Sequence, residues 1–157
     1  MKRRVVEKNR RGKKKIDEGR GVLIKSFNFN GGRQHMKAIL IVEDSATTRS
    51  LIRAVVEEAG NFETIEAATG FEALKHLPSR SFDLIITDIN MPDINGLELI
   101  NFVKTNPRYS HIPTIIISTE KSEEDRKRGL AMGATAYITK PFKAKDLQDT
   151  IKQVLGL

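Results

Sequence analysis

The sequence predicts a doubly wound α/β domain with a five-stranded parallel sheet, preceded by a basic segment of different character. Short apolar runs alternate with helical patterns five times within residues 36–157. This alternation is typical of parallel strands joined by right-handed helical crossovers. The first, third and fourth runs are apolar without a polar alternation, which indicates that helices cover both faces of the sheet.

The charges divide the chain into residues 1–35 and residues 36–157. The formal net charge is +7, but residues 1–35 hold 12 Lys and Arg against 3 Asp and Glu, whereas residues 36–157 hold 15 against 17. The first segment has no sustained hydrophobic period, so we predict that it is disordered. We interpret it as a leader or tag, with Met36 opening the domain. A basic arm that binds nucleic acid or anionic lipid is the alternative.

The composition excludes several kinds of site. The chain has no cysteine, which excludes disulfides, thiolate metal ligands and cysteine nucleophiles. Its apolar runs are too short for a membrane span or a signal peptide. We therefore expect a globular, cytoplasmic protein that has no membrane partner.

The predicted elements follow one another at regular intervals. The strands cover residues 37–42, 62–67, 82–87, 113–118 and 134–139. The helices cover residues 45–59, 69–77, 96–105, 122–133 and 144–155. Apolar residues recur at helical spacing in the first of these helices, which Gly60 ends.

The later helices have boundary signals of their own. Thr69 and Glu72 have the spacing of a capping box, and Pro78 stops the second helix. The third helix ends before Pro107 for the same reason. Ser122 is a suitable cap for the fourth helix, because three acidic residues follow it at the positive end of the helix dipole.

Polar residues that could bind a ligand or take part in a reaction lie at the ends of four of the strands. Right-handed crossovers place the carboxyl ends of all five strands at one edge of the sheet, where ligands bind in such folds. Glu43 and Asp44 follow the first strand, and Asp88 follows the third. Ser118 ends the fourth strand, and Lys140 follows the fifth. If the strand order is 2-1-3-4-5, the first and third strands are neighbours and the acids converge.

Converging acids indicate a divalent cation, because three carboxylates in one pocket otherwise repel one another. Oxygen ligands without cysteine or histidine favour Mg²⁺ or a similar hard ion, and the backbone carbonyl of Asn90 could add another ligand. Lys140 supplies a point charge for a phosphate, and the Ser118 hydroxyl can donate to it. Beside such groups the Asp88 carboxylate is suited to attack phosphorus and become an aspartyl phosphate.

Each of these residues also has a structural interpretation when it is taken alone. Asp88 could form a turn, and Glu43 and Asp44 could cap a helix. Lys140 could belong to an ordinary loop. The functional interpretation depends on four separate loops that deliver complementary groups to one edge.

The motifs of residues 37–157 resemble those of the receiver domain of two-component response regulators. They are IVEDS at 41–45, TDINMPDINGLEL at 87–99, IIISTE at 115–120 and AYITKPF at 136–142. The resemblance implies the flavodoxin-like, CheY-like (βα)5 fold. Within the family the motifs are most similar to the chemotaxis branch, of which CheY is the type.

The resemblance also implies roles for individual residues. Asp88 corresponds to the phosphoacceptor. Asp44, Asp88 and the carbonyl of Asn90 correspond to Mg²⁺ ligands, and Glu43 to an acid that acts directly or through water. Lys140 corresponds to the phosphate-binding lysine, Ser118 to the switch hydroxyl and Tyr137 to the switch aromatic. Pro141 corresponds to the proline that follows a cis peptide bond. Glu43 is a variation within the pattern, because Asp is also common at this position. Tyr137 could equally be a half-buried packing residue.

The expected function is that of a stand-alone receiver. A histidine kinase or histidine phosphotransfer domain would donate the phosphoryl group. Because the chain ends at Leu157 on the last predicted helix, output is expected through docking of a protein at the fourth helix, fifth strand and fifth helix, with a flagellar motor switch component as one candidate. Only self-phosphorylation from small donors and self-dephosphorylation are expected as reactions.

Three alternatives remain open. A phosphorelay intermediate would pass the phosphoryl group on to a histidine phosphotransfer domain. A Mg²⁺-dependent phosphohydrolase with an aspartate nucleophile would want a second acid two residues on, where this chain has Asn90. A nucleic-acid binder would use the basic segment, and we regard nucleic acid as the less favoured partner.

Overall fold

The computed structural model describes residues 6–8, 14–16 and 35–157. The chain divides into two units, Met1–His35 and Met36–Leu157. In the first unit, Val6–Lys8 and Lys14–Ile16 form two antiparallel three-residue strands. The predicted disorder of residues 1–35 stays a prediction, and most of these residues lie outside the described ones. The leader or tag interpretation stays a prediction.

The second unit is a five-stranded parallel sheet with five helices, as predicted. The strands are β1 (Lys37–Val42), β2 (Phe62–Ala67), β3 (Leu84–Thr87), β4 (Thr114–Ser118) and β5 (Ala136–Thr139). The helices are α1 (Ala46–Ala59), α2 (Gly70–His76), α3 (Gly96–Thr105), α4 (Glu123–Ala131) and α5 (Ala144–Leu155). The spatial order β2-β1-β3-β4-β5 confirms the predicted 2-1-3-4-5 arrangement.

The helices cover both faces of the sheet, as the strand composition predicts. Alternate residues of β1 point to opposite faces, as the period of a strand requires. On one face Leu40 packs in a core with Leu99 of α3 and Ala73 of α2. On the other face Ile41 packs in a core with Val56 of α1 and, from α5, Leu147 and Ile151. Both cores hold the carboxyl ends of the strands in fixed positions.

Three strands begin later than predicted. Phe82 is buried in a core but precedes the ladder, and the neighbouring Asp83 uses its carboxylate to accept from the Ala38 N–H at 2.8 Å. Pro113 has no N–H to offer, and β4 begins at the next residue. The Ala134 N–H donates to the Gly129 carbonyl of α4, so β5 begins two residues further on.

The helix boundaries follow their capping residues. The side chains of Ser45, Thr69, Asn95 and Ser122 each accept from a backbone N–H in the first turn of the helix that follows. A single 3₁₀ turn, Leu77–Ser79, follows α2. Among the described residues, no helix has the length and apolar character needed to cross a bilayer.

Candidate functional site

The register of β1 and β3 brings two acidic residues together at the carboxyl edge of the sheet. Val42, the last residue of β1, pairs with Thr87, the last residue of β3. The Asp88 N–H donates to the Val42 carbonyl at 3.1 Å, which extends this ladder by one bond. Glu43 and Asp88 therefore leave the sheet side by side, because each follows one member of the terminal pair.

Three carboxylates converge at this edge. One carboxylate oxygen from each of Glu43, Asp44 and Asp88 lies within 4.8 Å of the other two. Glu43 and Asp88 are buried, with 2% and 8% of their surface exposed, whereas Asp44 is exposed. Buried acids at such short range repel each other, so the arrangement requires positive charge nearby.

Lys140 supplies positive charge to the buried pair. Its ammonium donates to Glu43 Oε2 at 2.8 Å and to Asp88 Oδ2 at 2.9 Å. Its backbone N–H donates to the Ser118 carbonyl at 2.8 Å, which ties the loop after β5 to the end of β4. The peptide bond between Lys140 and Pro141 is cis. The ammonium thus bridges the acids that follow β1 and β3.

Burial and ion pairing act in opposite directions on these charges. Burial raises the pKa of the Glu43 carboxyl above its ordinary value, although Lys140 beside it acts to lower that pKa. Burial alone would lower the pKa of Lys140, but its bonds to Glu43 and Asp88 outweigh burial and raise the pKa. Lys140 is therefore an ammonium at neutral pH, available to balance negative charge at this edge.

Glu43 is fixed at its backbone as well as at its carboxylate. Its N–H donates to the Ala67 carbonyl at 3.0 Å, and its Oε1 accepts from the Ser45 N–H at 3.2 Å. Its carbonyl accepts from Arg49 Nη1 at 2.8 Å. Arg49 was not among the residues that the sequence singled out, although it supports one that was.

The loop after β3 folds back on Asp88. The Ile89 N–H donates to Asp88 Oδ1 at 2.6 Å, and the Gly96 N–H donates to the Ile89 carbonyl at 2.9 Å. The Asn90 side chain donates to Glu120 Oε1 at 3.2 Å, which links the loops after β3 and β4. The proposed ligand role of the Asn90 carbonyl stays a prediction.

Asp93 anchors the same loop to α2. Its two carboxylate oxygens accept from the N–H groups of Gly70 and Phe71, at 3.1 Å and 3.0 Å. A Cβ on Gly70 would lie 2.6 Å from the Ile94 carbonyl oxygen, so only glycine allows this close approach. Asp93 is a second residue of this edge that the sequence did not single out.

Ser118 and Tyr137 make their hydrogen bonds to Glu120. The buried Ser118 accepts from the Glu120 N–H at 3.2 Å, and the Tyr137 hydroxyl donates to the Glu120 carbonyl at 2.8 Å. The Tyr137 ring is half-buried and packs against Gly129 of α4. Burial raises the pKa of the Tyr137 hydroxyl, so it stays protonated at neutral pH. The two predicted switch residues are therefore joined through one residue of the β4–α4 loop.

The acidic cluster fits a hard divalent cation. Within the described part of the chain, the cluster offers only carboxylate oxygens, and two of its three residues are buried. Oxygen donors of this kind suit Mg²⁺, which typically takes one or two carboxylates and keeps several waters. Direct binding by Asp44 and Asp88, with Glu43 acting directly or through water, stays a prediction of the resemblance.

Comparison with known proteins agrees with this geometry. Residues 39–152 match the family model described as the response regulator receiver domain. The chain is 36% identical to "Chemotaxis protein CheY1" of Helicobacter pylori over 75% of its own length and 96% of that protein. It is also 36% identical to "Polar-differentiation response regulator DivK" of Brucella ovis, over 76% and 97% of the two chains.

A solved structure supports the same assignment. Vibrio cholerae chemotaxis protein CheY4 superimposes with a TM-score of 0.71 and 37% identity, over 76% of this chain and 99% of that one. The acids after β1 and β3 and the lysine after β5 all lie within residues 39–152, which the family model matches. By these measures the chain belongs to the response regulator receiver domain family.

Proposed function

We propose that Asp88 accepts a phosphoryl group and that the protein signals by the resulting change at its surface. One observation carries the proposal: a buried Asp88 carboxylate shares the Lys140 ammonium with Glu43 at the carboxyl edge of the sheet. The ammonium balances the negative charge of the Asp88 side chain at the end of β3, and a carboxylate is a group that can act as a nucleophile toward phosphorus. A histidine kinase or histidine phosphotransfer domain is the proposed donor.

The transfer exchanges one phosphorus bond for another. A carboxylate oxygen of Asp88 forms a bond to phosphorus while the bond from phosphorus to the donor imidazole breaks, and the imidazole nitrogen keeps the electron pair. Lys140 already pairs with Asp88 Oδ2, so it is placed to balance the charge of the new phosphoryl oxygens. Bound Mg²⁺, held by Asp44, Asp88, the Asn90 carbonyl and Glu43, would supply further positive charge.

The proposed switch runs from Ser118 through Glu120 to Tyr137. A phosphoryl group on Asp88 offers new acceptor oxygens, and the Ser118 hydroxyl is the group at the end of β4 that can donate to one. Ser118 now accepts from the Glu120 N–H, so rotation toward the phosphoryl group changes that contact. The Glu120 carbonyl accepts from the Tyr137 hydroxyl, and the Tyr137 ring contacts α4. A change at Glu120 can therefore reach the surface.

The proposed docking surface is formed by α4, β5 and α5. Output through chemotaxis proteins, including a flagellar motor switch component, is supported by the similarity to chemotaxis regulators. The identity to a polar-differentiation response regulator is equally high, so identity alone does not favour chemotaxis over other outputs. The second candidate is a relay that returns the phosphoryl group to a histidine. Transfer of label from Asp88 to a purified histidine phosphotransfer domain would favour the relay.

Incubation with acetyl phosphate and Mg²⁺ tests the proposal. Intact-mass spectrometry should show one added phosphoryl group on the natural sequence, lost when Mg²⁺ is chelated. Asp88→Asn should abolish it, whereas Asp149→Asn, which changes an exposed aspartate on α5, should not. Labelling that persists in Asp88→Asn would overturn the assignment.

A further inference from the structure

Arg49 of α1 reaches the backbone between the two acids that follow β1. Its Nη1 donates to the Glu43 carbonyl at 2.8 Å, and its Nε lies 3.5 Å from Glu66 Oε1 on β2. The Arg49 side chain is four-fifths buried, with 20% exposed. A planar guanidinium with donors in a fixed fork can hold both acceptors at once.

The Glu43 carbonyl belongs to the peptide unit that leads into Asp44. Because that unit is planar, fixing the carbonyl also fixes the direction in which Asp44 leaves β1. Glu43 is already held at its N–H and its carboxylate. The contact from Arg49 adds a restraint on the side that faces Asp44, the exposed member of the acidic cluster.

Arg53 offers a matched comparison one helical turn along α1. It pairs with Glu66 Oε2 at 3.2 Å and with Glu57 Oε1 at 2.8 Å. Arg53 therefore belongs to the same ion-pair network as Arg49, but its contacts are to carboxylates of α1 and β2. Its side chain is 51% exposed, so its ion pairs contribute little free energy.

We propose that Arg49 is a positioning residue for divalent cation binding, acting through the Glu43–Asp44 peptide. The inference rests on the proposed function, because it assumes that the acidic cluster binds Mg²⁺. The sign of the effect separates positioning from electrostatics. If charge alone matters, removal of the positive charge of Arg49 from the neighbourhood of the acidic cluster should strengthen Mg²⁺ binding. Loss of a restraint on the ligands should weaken it.

The test is a titration of the unphosphorylated full chain with MgCl₂, followed by amide chemical shifts in NMR spectra. Arg49→Ala should weaken Mg²⁺ binding about tenfold, the lower end of the loss expected for a group that orients a metal ligand. Arg53→Ala removes the same charge from the same helix and should change the affinity by less than about twofold. Arg49→Lys keeps the charge but not the fork, and should fall between the natural sequence and Arg49→Ala.

Each outcome decides the matter. Unchanged or tighter Mg²⁺ binding in Arg49→Ala, or equal weakening in Arg53→Ala, overturns the positioning role. If Arg49→Ala fails to fold, Arg49→Lys decides, and affinity equal to the natural sequence overturns the role. Absence of Mg²⁺ binding to the natural sequence overturns the metal site itself. If the natural sequence binds Mg²⁺ but is not phosphorylated, the proposed function fails. The role of Arg49 is then still decided by the Mg²⁺ affinities of its variants.

Discussion

The α-carbon of Gly96 lies directly against the backbone carbonyl of Asp88. A Cβ added to Gly96 would come within 2.8 Å of the Asp88 carbonyl carbon and would overlap its oxygen. The obstacle is backbone at the end of a buried strand, so it cannot rotate away as a side chain could. The first turn of α3 can therefore approach Asp88 only if residue 96 is glycine.

Gly96→Ala should lower the free energy of unfolding by about 3 kcal/mol, the upper range for an overpacked site. Urea unfolding followed by circular dichroism measures this loss. Gly60→Ala is the control, because the added Cβ would meet only the ring of Phe62, at 3.0 Å. An Ala at 96 that costs no more than an Ala at 60 would contradict the close approach.

The Asp93 carboxylate should make the free energy of unfolding depend on pH in the acidic range. Hydrogen bonds from the Phe71 and Gly70 N–H groups hold the pKa of Asp93 below its ordinary value. A lowered carboxyl pKa contributes stability that is present above the unfolded-state pKa and is lost as the pH falls through the folded-state pKa. Asp93→Asn should therefore be less stable than the natural sequence at neutral pH, and the difference should shrink below about pH 4.

Thermal unfolding of both proteins across acidic and neutral pH checks this prediction. Asp149→Asn, exposed on α5, controls for the loss of a carboxylate. A stability difference between Asp93→Asn and the natural sequence that stays constant down to the acid limit would contradict the capping role.

Lys140→Met should expose the repulsion between Glu43 and Asp88. Loss of one partner from a buried ion pair typically costs about 3 kcal/mol at neutral pH, because the remaining charges are left uncompensated. Added Mg²⁺ should restore more stability to this variant than to the natural sequence, since the unpaired acids attract the cation more strongly. Urea unfolding in EDTA and in MgCl₂ measures both effects. Equal stability of the two proteins in EDTA would show that the ammonium is not needed there.

Tyr137→Phe should remove the hydrogen bond to the Glu120 carbonyl while it keeps the ring against α4. The expected loss of stability is about 1 kcal/mol. In the phosphorylated state, the amide shifts of α4 should differ from those of the natural sequence, because Glu120 no longer couples to the ring. Tyr109→Phe is the matched control, since that ring packs against Phe102 of α3. Identical α4 shifts in phosphorylated Tyr137→Phe and natural protein would argue against the switch.

The edge of the sheet could be predicted because strand ends are readable in the sequence. Glu43, Asp44, Asp88 and Lys140 follow the ends of predicted strands, and parallel topology alone places such residues together. Their convergence therefore depends on strand order and on little else. The fold was predictable for the same reason, since both faces of the central strands are apolar.

The supporting contacts could not be predicted in this way. Arg49 and Asp93 act across elements, and their partners depend on the rotation of α1 and on the path of the β3–α3 loop. Periodicity reports which helix face is apolar, but it does not say which backbone carbonyl a polar side chain reaches. The short strands Val6–Lys8 and Lys14–Ile16 were missed because three-residue runs give no detectable period.

Chemical mapping of the phosphorylated residue tests the central claim most directly. Treatment with acetyl phosphate and Mg²⁺, reduction with borohydride and peptide sequencing by mass spectrometry should find homoserine at position 88, the product of a reduced aspartyl phosphate. Asp44, at the same acidic edge, should remain aspartate. Homoserine at position 44, or at any position other than 88, would contradict the account.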